Sequence, residues 1–246
     1  MPGPRIFSAT PLQSQAALSL DPKAARHIQV LRMQPGQSVV LFDGEGGQFD
    51  ATISQMHKAG VDVHVGEHDA LEREASVTVE LAVGMPANER MDWLVEKATE
   101  LGVARIIPLL TERTVLRFNE TRAAKRREHW QAVAIAACEQ CGRNRVPSIE
   151  PIQSLQTWLS QSRAEAHSPS RVVLSFDGPE LAERLTSEPS TNAWCFLSGP
   201  EGGLSPAELK QAVQAGFVTA RLGPRVLRAE TAALAALTCA TYLTGY

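Results

Sequence analysis

The chain has 246 residues, enough for one large domain or two smaller ones, each with its own core. Hydrophobic residues make up 43% and charged residues 21%, an ordinary soluble balance, and a formal net charge of -3 gives no overall basic surplus that would announce nucleic acid. No apolar run approaches membrane-spanning length and residues 1–20 hold no hydrophobic signal core, so a cytoplasmic protein with its four cysteines reduced is expected.

In chain order, residues 1–72 read as a small β-rich unit. Asp21 as N-cap and Pro22 at the first position start a helix carrying Ile28, Val30 and Leu31, which Pro35-Gly36 stops. Val39–Phe42 and Gln48–Ile53 read as strands joined by the turn Asp43–Gly47, and Val61–Val65 alternates as a half-buried strand should. The polar stretch Leu71–Ser76 reads as a linker.

From Val77 the texture changes to alternating strands and helices. Strands are predicted at Val77–Val83, Arg105–Leu110, Arg171–Phe176, Trp194–Leu197 and Phe217–Leu222. Between them fall helices at Glu89–Leu101, Arg122–Cys141, Ser154–Ser160, Glu180–Leu185 and Ser205–Ala215, and a last helix follows. Met91, Leu94, Val95 and Ala98 form one stripe, and Gly102 ends that helix. This order predicts an α/β class with a mostly parallel, doubly wound sheet.

Two stretches stand out: Ser198-Gly199-Pro200-Glu201-Gly202-Gly203, and Leu222-Gly223-Pro224-Arg225-Val226-Leu227-Arg228-Ala229-Glu230-Thr231. Each reads as a buried strand breaking into a Gly/Pro loop that enters a helix, the place where α/β proteins hold ligands. Two so close in sequence suggest one shared pocket. The bland reading of the first is a tight turn, fixed by the capping box Ser205-Pro206-Ala207-Glu208. For the second, the apolar Val226 and Leu227 are expected to be buried, while complementarity to the helix dipole accounts for Glu230. Neither a Gly-x-Gly-x-x-Gly nor a Walker pattern is present, and Glu201 would repel a phosphate.

Local basic clusters qualify the acidic total. Arg5, Lys23, Arg26, His27 and Arg32 lie near the start, and Arg113, Arg117, Arg122, Lys125, Arg126, Arg127, Arg143 and Arg145 lie mid-chain. Taken alone, the mid-chain helix reads as a solvated face. Cys138-x-x-Cys141 is half a metal site with no second pair. The six histidines, His27, His57, His64, His68, His129 and His167, show no ligand spacing beside a carboxylate, so no metal is expected.

With these loops the chain resembles the RsmE family, SPOUT-class methyltransferases that make N3-methyluridine in small-subunit (16S) ribosomal RNA. Further matches are Glu96–Val103, Glu112-Arg113, Glu139-Gln140-Cys141-Gly142-Arg143, and His27 followed by Val30, Leu31 and Arg32. The resemblance spans essentially the whole chain. It implies a PUA-like RNA-gripping β-barrel at 1–72 and a SPOUT domain at 73–246 whose C-terminal segment threads a trefoil knot. It also implies a homodimer with 16S rRNA, within the small subunit, as substrate.

S-adenosyl-L-methionine is the cofactor that the resemblance implies. Leu197, Gly199, Pro200, Glu201, Gly202 and Gly203 would hold it from the first loop. Leu222, Gly223, Arg225, Leu227, Glu230 and Thr231 would hold it from the second, with Leu174 and Ser175 from a neighbouring strand. Methyl transfer to uracil N3 needs a proton acceptor and donors to the uracil carbonyls. Arg225 or Arg228 is the candidate donor and Glu201 or Glu230 the candidate acceptor, with a structural role as the alternative for both acids. RNA contacts are expected from Arg5, His27, Arg32, Arg113, Arg143 and Asn144. The rival readings are a SPOUT enzyme acting on another RNA and a catalytically silent RNA-binding assembly factor.

Overall fold

The chain divides into two units. The computed structural model describes residues 3–58, 60–87, 90–115, 119–161, 169–188 and 191–245; the predicted helix start Glu89, Arg117 of the basic cluster and His167 lie outside them. One compact unit is Met1–Glu74 with Ile135–Val146, and the other is Ala75–Ala134 with Pro147–Tyr246.

The first unit contains β1 (Arg5–Phe7), β2 (Ala17–Ser19), α1 (Pro22–Val30), β3 (Ser38–Phe42), β4 (Gln48–His57) and β5 (Gly60–Asp69). The sheet order is β1-β3-β4-β5-β2, antiparallel except for the parallel pair β1 and β3. Alternation on β4 points Phe49, Ala51 and Ile53 inward, where they meet Val61, Val63 and Val65 of β5 and Ala24, Ala25 and Ile28 of α1. The start of α1 follows its sequence signals, since the Asp21 carboxylate accepts hydrogen bonds from the Lys23 and Ala24 amides at 2.9 and 3.2 Å.

Residues 135–146 contribute a polar network to this unit. The Arg143 guanidinium, 4% exposed, grips both oxygens of Glu74 at 2.9 and 2.6 Å. Asn144 is fully buried, donates to the Leu71 carbonyl and accepts from Arg5 Nη2 at 2.7 Å. Arg5 also donates to Gln48 and to the Arg143 carbonyl, and lies over the Phe42 ring. Arg73 donates to the Gly142 carbonyl at 2.8 Å, so residues 71–74 of the expected linker are pinned to this unit.

The second unit runs β6 (Thr78–Gly84), α2 (Arg90–Glu100), β7 (Arg105–Leu110), α3 (Glu120–Cys141, whose last seven residues fall in the first unit), β8 (Ser148–Ile149), β9 (Gln153–Ser154) and α4 (Leu155–Gln161). It continues through β10 (Ser170–Leu174), α5 (Leu181–Ser187), β11 (Ala193–Ser198), α6 (Pro206–Gln214), β12 (Val218–Ala220) and α7 (Ala229–Thr244). Every strand pairs in parallel, in the order β12-β10-β11-β6-β7-β8, with β9 also on β7.

Both faces of this sheet are covered. Leu81, Val83, Trp194 and Phe196 pack with Leu94 of α2 and Leu237 of α7. Ile107, Cys195 and Leu197 face Trp158, Ala212 and Phe217 on the other side. Double burial explains why these strands read as nearly continuous apolar runs. All four cysteines are free, and burial pushes the Cys138 thiol up to about 12, which keeps it an inert packing group. Among the described residues, no helix is long and apolar enough to cross a membrane.

Candidate active site

Parallel pairing brings the carboxyl ends of β12, β10, β11, β6 and β7 to one edge, and a cavity of about 600 Å³ opens there. Its wall takes Leu174 and Ser175 from the end of β10. The Gly199–Leu204 loop comes from β11, and 221–229 come from β12. The two loops singled out in sequence therefore do share one cavity, separated in the sheet by the end of β10.

The first loop is tightly constrained. The Gly203 amide donates to the Pro200 carbonyl at 2.8 Å, and a Cβ on Gly199 would lie 2.6 Å from the Leu204 nitrogen. Only glycine fits where the loop folds back on itself. The Glu201 carboxylate accepts from the Ala87 amide at 2.9 Å and from Arg90 Nη1 at 3.0 Å, tying the loop to the entrance of α2. Arg113 donates to the Gly202 carbonyl at 2.5 Å. The Ser205–Glu208 capping box is present, and Glu208 also accepts from the Glu112 amide at 2.8 Å. Ser205→Ala should therefore cost about 1 kcal/mol of stability, measured by denaturant unfolding.

The second loop hangs from Glu180. Its carboxylate accepts from Arg221 Nε at 2.8 Å and from the Gly223 amide at 3.0 Å. Beyond that anchor the chain runs along the cavity rim. Val226 is 79% exposed, which corrects its expected burial; Leu227 is half-buried. Arg225 and Arg228 line the cavity, are exposed, and make no ion pair to a described residue.

Of the expected cofactor residues, the cavity wall gathers Leu174, Ser175, Gly199, Pro200, Glu201, Gly202, Gly203, Leu222, Gly223, Arg225 and Leu227. Leu197, Glu230 and Thr231 lie off it: Leu197 is fully buried in the core with Ile107 and Phe217, Glu230 is buried and Thr231 faces solvent. The structure adds Ser198, Phe176 and Arg90 to the wall, and brings there Arg113, which the sequence had marked for RNA. Ser198 is 4% exposed and its hydroxyl has no hydrogen-bond partner among the described residues. An unsatisfied buried hydroxyl costs about 1–3 kcal/mol, so a polar group arriving there would be favoured.

The expected RNA residues separate. Arg32 is exposed, with a left-handed φ of 56°, and His27 is partly exposed with Nδ1 3.3 Å from the Glu139 carboxylate. Arg5, Arg143 and Asn144 belong to the polar network of the first unit, with Arg143 and Asn144 in its interior rather than on a surface open to phosphate. Burial pulls the Arg5 guanidinium below its usual range. Among the described residues, no group of three or more His, Cys, Asp or Glu could hold a metal ion.

The fold agrees with comparisons to known proteins. Residues 73–241 match the RNA methyltransferase domain and residues 20–65 the RNA methyltransferase PUA domain, which defines the class as RNA methyltransferase. The ribosomal RNA small subunit methyltransferase E of Bacillus subtilis strain 168 is 30% identical over 241 residues, covering 95% of this chain and 93% of that one. The same enzyme from Neisseria gonorrhoeae, solved bound to S-adenosyl methionine, aligns with a TM-score of 0.89 at 32% identity over 99% of this chain and 98% of its own. A Legionella pneumophila structure with bound SAM also reaches 0.89, at 34% identity over all of both chains. The chain belongs to the ribosomal RNA small subunit methyltransferase E family.

Proposed function

We propose that the chain transfers a methyl group from S-adenosylmethionine to N3 of one uridine in small-subunit (16S) ribosomal RNA. The strand-end cavity carries this reading. Its volume, about 600 Å³, falls within the about 300–1,000 Å³ of small-molecule sites. Close-packed glycines bring backbone donors and acceptors to its wall, and the unsatisfied Ser198 hydroxyl offers one more polar group. The SAM-bound relatives support the same ligand.

Bound there, S-adenosylmethionine supplies the methyl group and the sulfonium leaving group. Backbone groups from 174–175, 199–203 and 222–223 fix its adenosine, with Leu222 and Leu227 as the apolar wall. Uracil N3 lies between two carbonyls and becomes nucleophilic as its proton passes to solvent water, which builds negative charge on O2 and O4. Arg225 and Arg228, on the cavity wall, donate to those oxygens. Glu201, committed to the Ala87 amide and Arg90, holds the loop in shape.

Several wider features belong to the same reading. Residues 1–72 form the PUA-like domain, with 73–74 and 135–146 packed into the same unit, and the rest of 73–246 forms the SPOUT domain. Helix α7 leaves edge strand β12 and returns to pack on β11 and β6, an arrangement that supports a threaded trefoil knot. The enzyme works as a homodimer in the cytoplasm, on rRNA within the small subunit. Arg32, His27, Arg113 and the exposed Arg122, Lys125 and Arg126 of α3 grip phosphates.

Calorimetry with S-adenosylmethionine, followed by methylation of small subunits purified from cells lacking the modification, tests the reading. N3-methyluridine at one position is the expected product; no cofactor binding would favour the silent assembly factor. RNA affinity should fall steeply as salt rises, and a flat response would remove the phosphate grip.

A further inference from the structure

Phe176 lies two residues past the end of β10, lines the cavity, and is 73% exposed. Its loop is firmly held. The Ser175 amide donates to the Ala220 carbonyl at 2.9 Å, and the Asp177 amide donates to Ser175 Oγ at 3.3 Å. Gly178 has φ +115° and sits so close to Thr219 that a Cβ would meet its Oγ1 at 2.8 Å. Glu180 then fastens the far end to Arg221 and Gly223. The phenyl ring is thus presented to solvent by a pinned backbone rather than left there by a loose one.

Val226, 79% exposed, lines the same cavity from the second loop. The same cavity wall carries Arg225 and Arg228, neither of which makes an ion pair to a described residue, together with Arg113 on the Gly202 carbonyl, Arg90 on Glu201 and Arg221 on Glu180. Apolar surface ringed by guanidinium groups suits a flat base attached to phosphates better than an aliphatic or cationic partner.

We propose that Phe176 and Val226 form the platform on which the target base stacks after it leaves the RNA helix or loop. The proposal rests on the methyltransferase reading and deepens it. N3 is on the Watson–Crick edge, so a paired uracil cannot react, and an extruded base loses its stacking neighbours. An aromatic face at the cavity mouth restores that stacking while Arg225 and Arg228 meet the carbonyls. Stacking is tolerant of base identity, so selection of uracil falls to the arginines and the platform supplies affinity.

The test compares Phe176→Ala and Phe176→Trp with the parent chain, using unmethylated small subunits as substrate. Phe176→Ala should raise the KM for subunits by about 10- to 100-fold, the usual loss of one base–aromatic stack, and Phe176→Trp should restore it. Calorimetric affinity for S-adenosylmethionine and the sedimentation coefficient should stay at parental values. An unchanged KM overturns the platform. A matching loss of cofactor affinity would make Phe176 a wall for the cofactor, and altered sedimentation would give the residue to a second copy of the chain; either result overturns it too. A parent chain that binds the cofactor yet leaves uridine N3 unmodified overturns the functional reading and the platform with it. A methylating parent with an indifferent Phe176→Ala removes the platform alone.

Discussion

Arg225→Ala is expected to lower kcat for methylation of small subunits by about 100- to 1,000-fold, the usual consequence of removing one preorganised donor to a developing oxyanion. Cofactor affinity should change by less than about three-fold, because an interaction made mainly in the transition state lowers kcat without weakening ground-state binding. Arg225 stands on the cavity wall, exposed and with no ion pair to a described residue, so its charge is available to a ligand. Arg90 and Arg221, on the same wall, are held by Glu201 and Glu180 and serve the loops instead. Single-turnover methylation with calorimetry in parallel separates the outcomes. Parental transfer by Arg225→Ala removes the residue from the chemistry. A fall confined to cofactor affinity would make it a binder of the cofactor.

The elements that sequence patterning revealed are the ones with period and punctuation. Asp21-Pro22 and Ser205-Pro206-Ala207-Glu208 mark helix starts through local hydrogen bonds, and both bonds are present. The apolar runs of β6, β7 and β11 are buried on both faces and stood out for that reason. By contrast, β1 and β2 are three residues each and β8 and β9 two, too short for alternation to show. Strands β4 and β5 extend four residues beyond their predicted ends, because cross-strand pairing carries them past the apolar segment.

The site divides in the same way. Its glycines and arginines were visible as loop chemistry, whereas its supports lie far off in sequence. Glu180 grips Arg221 and Gly223 across more than 40 residues, and Glu74 does the same for Arg143 across 69. No local pattern encodes such pairings, so Arg143 and Asn144 read as a polar surface although both are buried. Val226 misled for the opposite reason: burial was inferred from its own hydropathy, but on the loop beyond Gly223 its side chain stands exposed. Phe176 reads as the last residue of a strand that ends instead at Leu174, and no local pattern marks it as presented to the cavity.

Gly84→Ala should damage the enzyme as severely as loss of Arg225, from a strand that contributes nothing to the cavity wall. A Cβ on Gly84 would lie 2.6 Å from Pro200 Cδ, 2.8 Å from the Pro200 nitrogen and 3.0 Å from the Gly199 carbonyl carbon. These are ring and backbone atoms that cannot rotate away. Strand β6 is paired on both sides, with Val83 opposite Ser198 and Gly84 opposite Leu109, so the strand stays and the loop must yield. The loop is itself fixed by Glu201 on Ala87 and Arg90 and by Arg113 on Gly202, so displacement breaks several contacts together. A shift near 1 Å should lower methylation about 100-fold and weaken cofactor affinity in step. Overpacking should also cost about 1–3 kcal/mol of stability. Gly223→Ala is the matched control, since nothing lies within 4 Å of its Cβ position and its φ of +69° alone is strained. That strain should cost about 1–2 kcal/mol with a smaller loss of cofactor affinity. Thermal unfolding beside calorimetry resolves the two effects. Gly84→Ala that folds and binds S-adenosylmethionine like the parent would show that the Gly199–Gly203 loop does not cradle the cofactor.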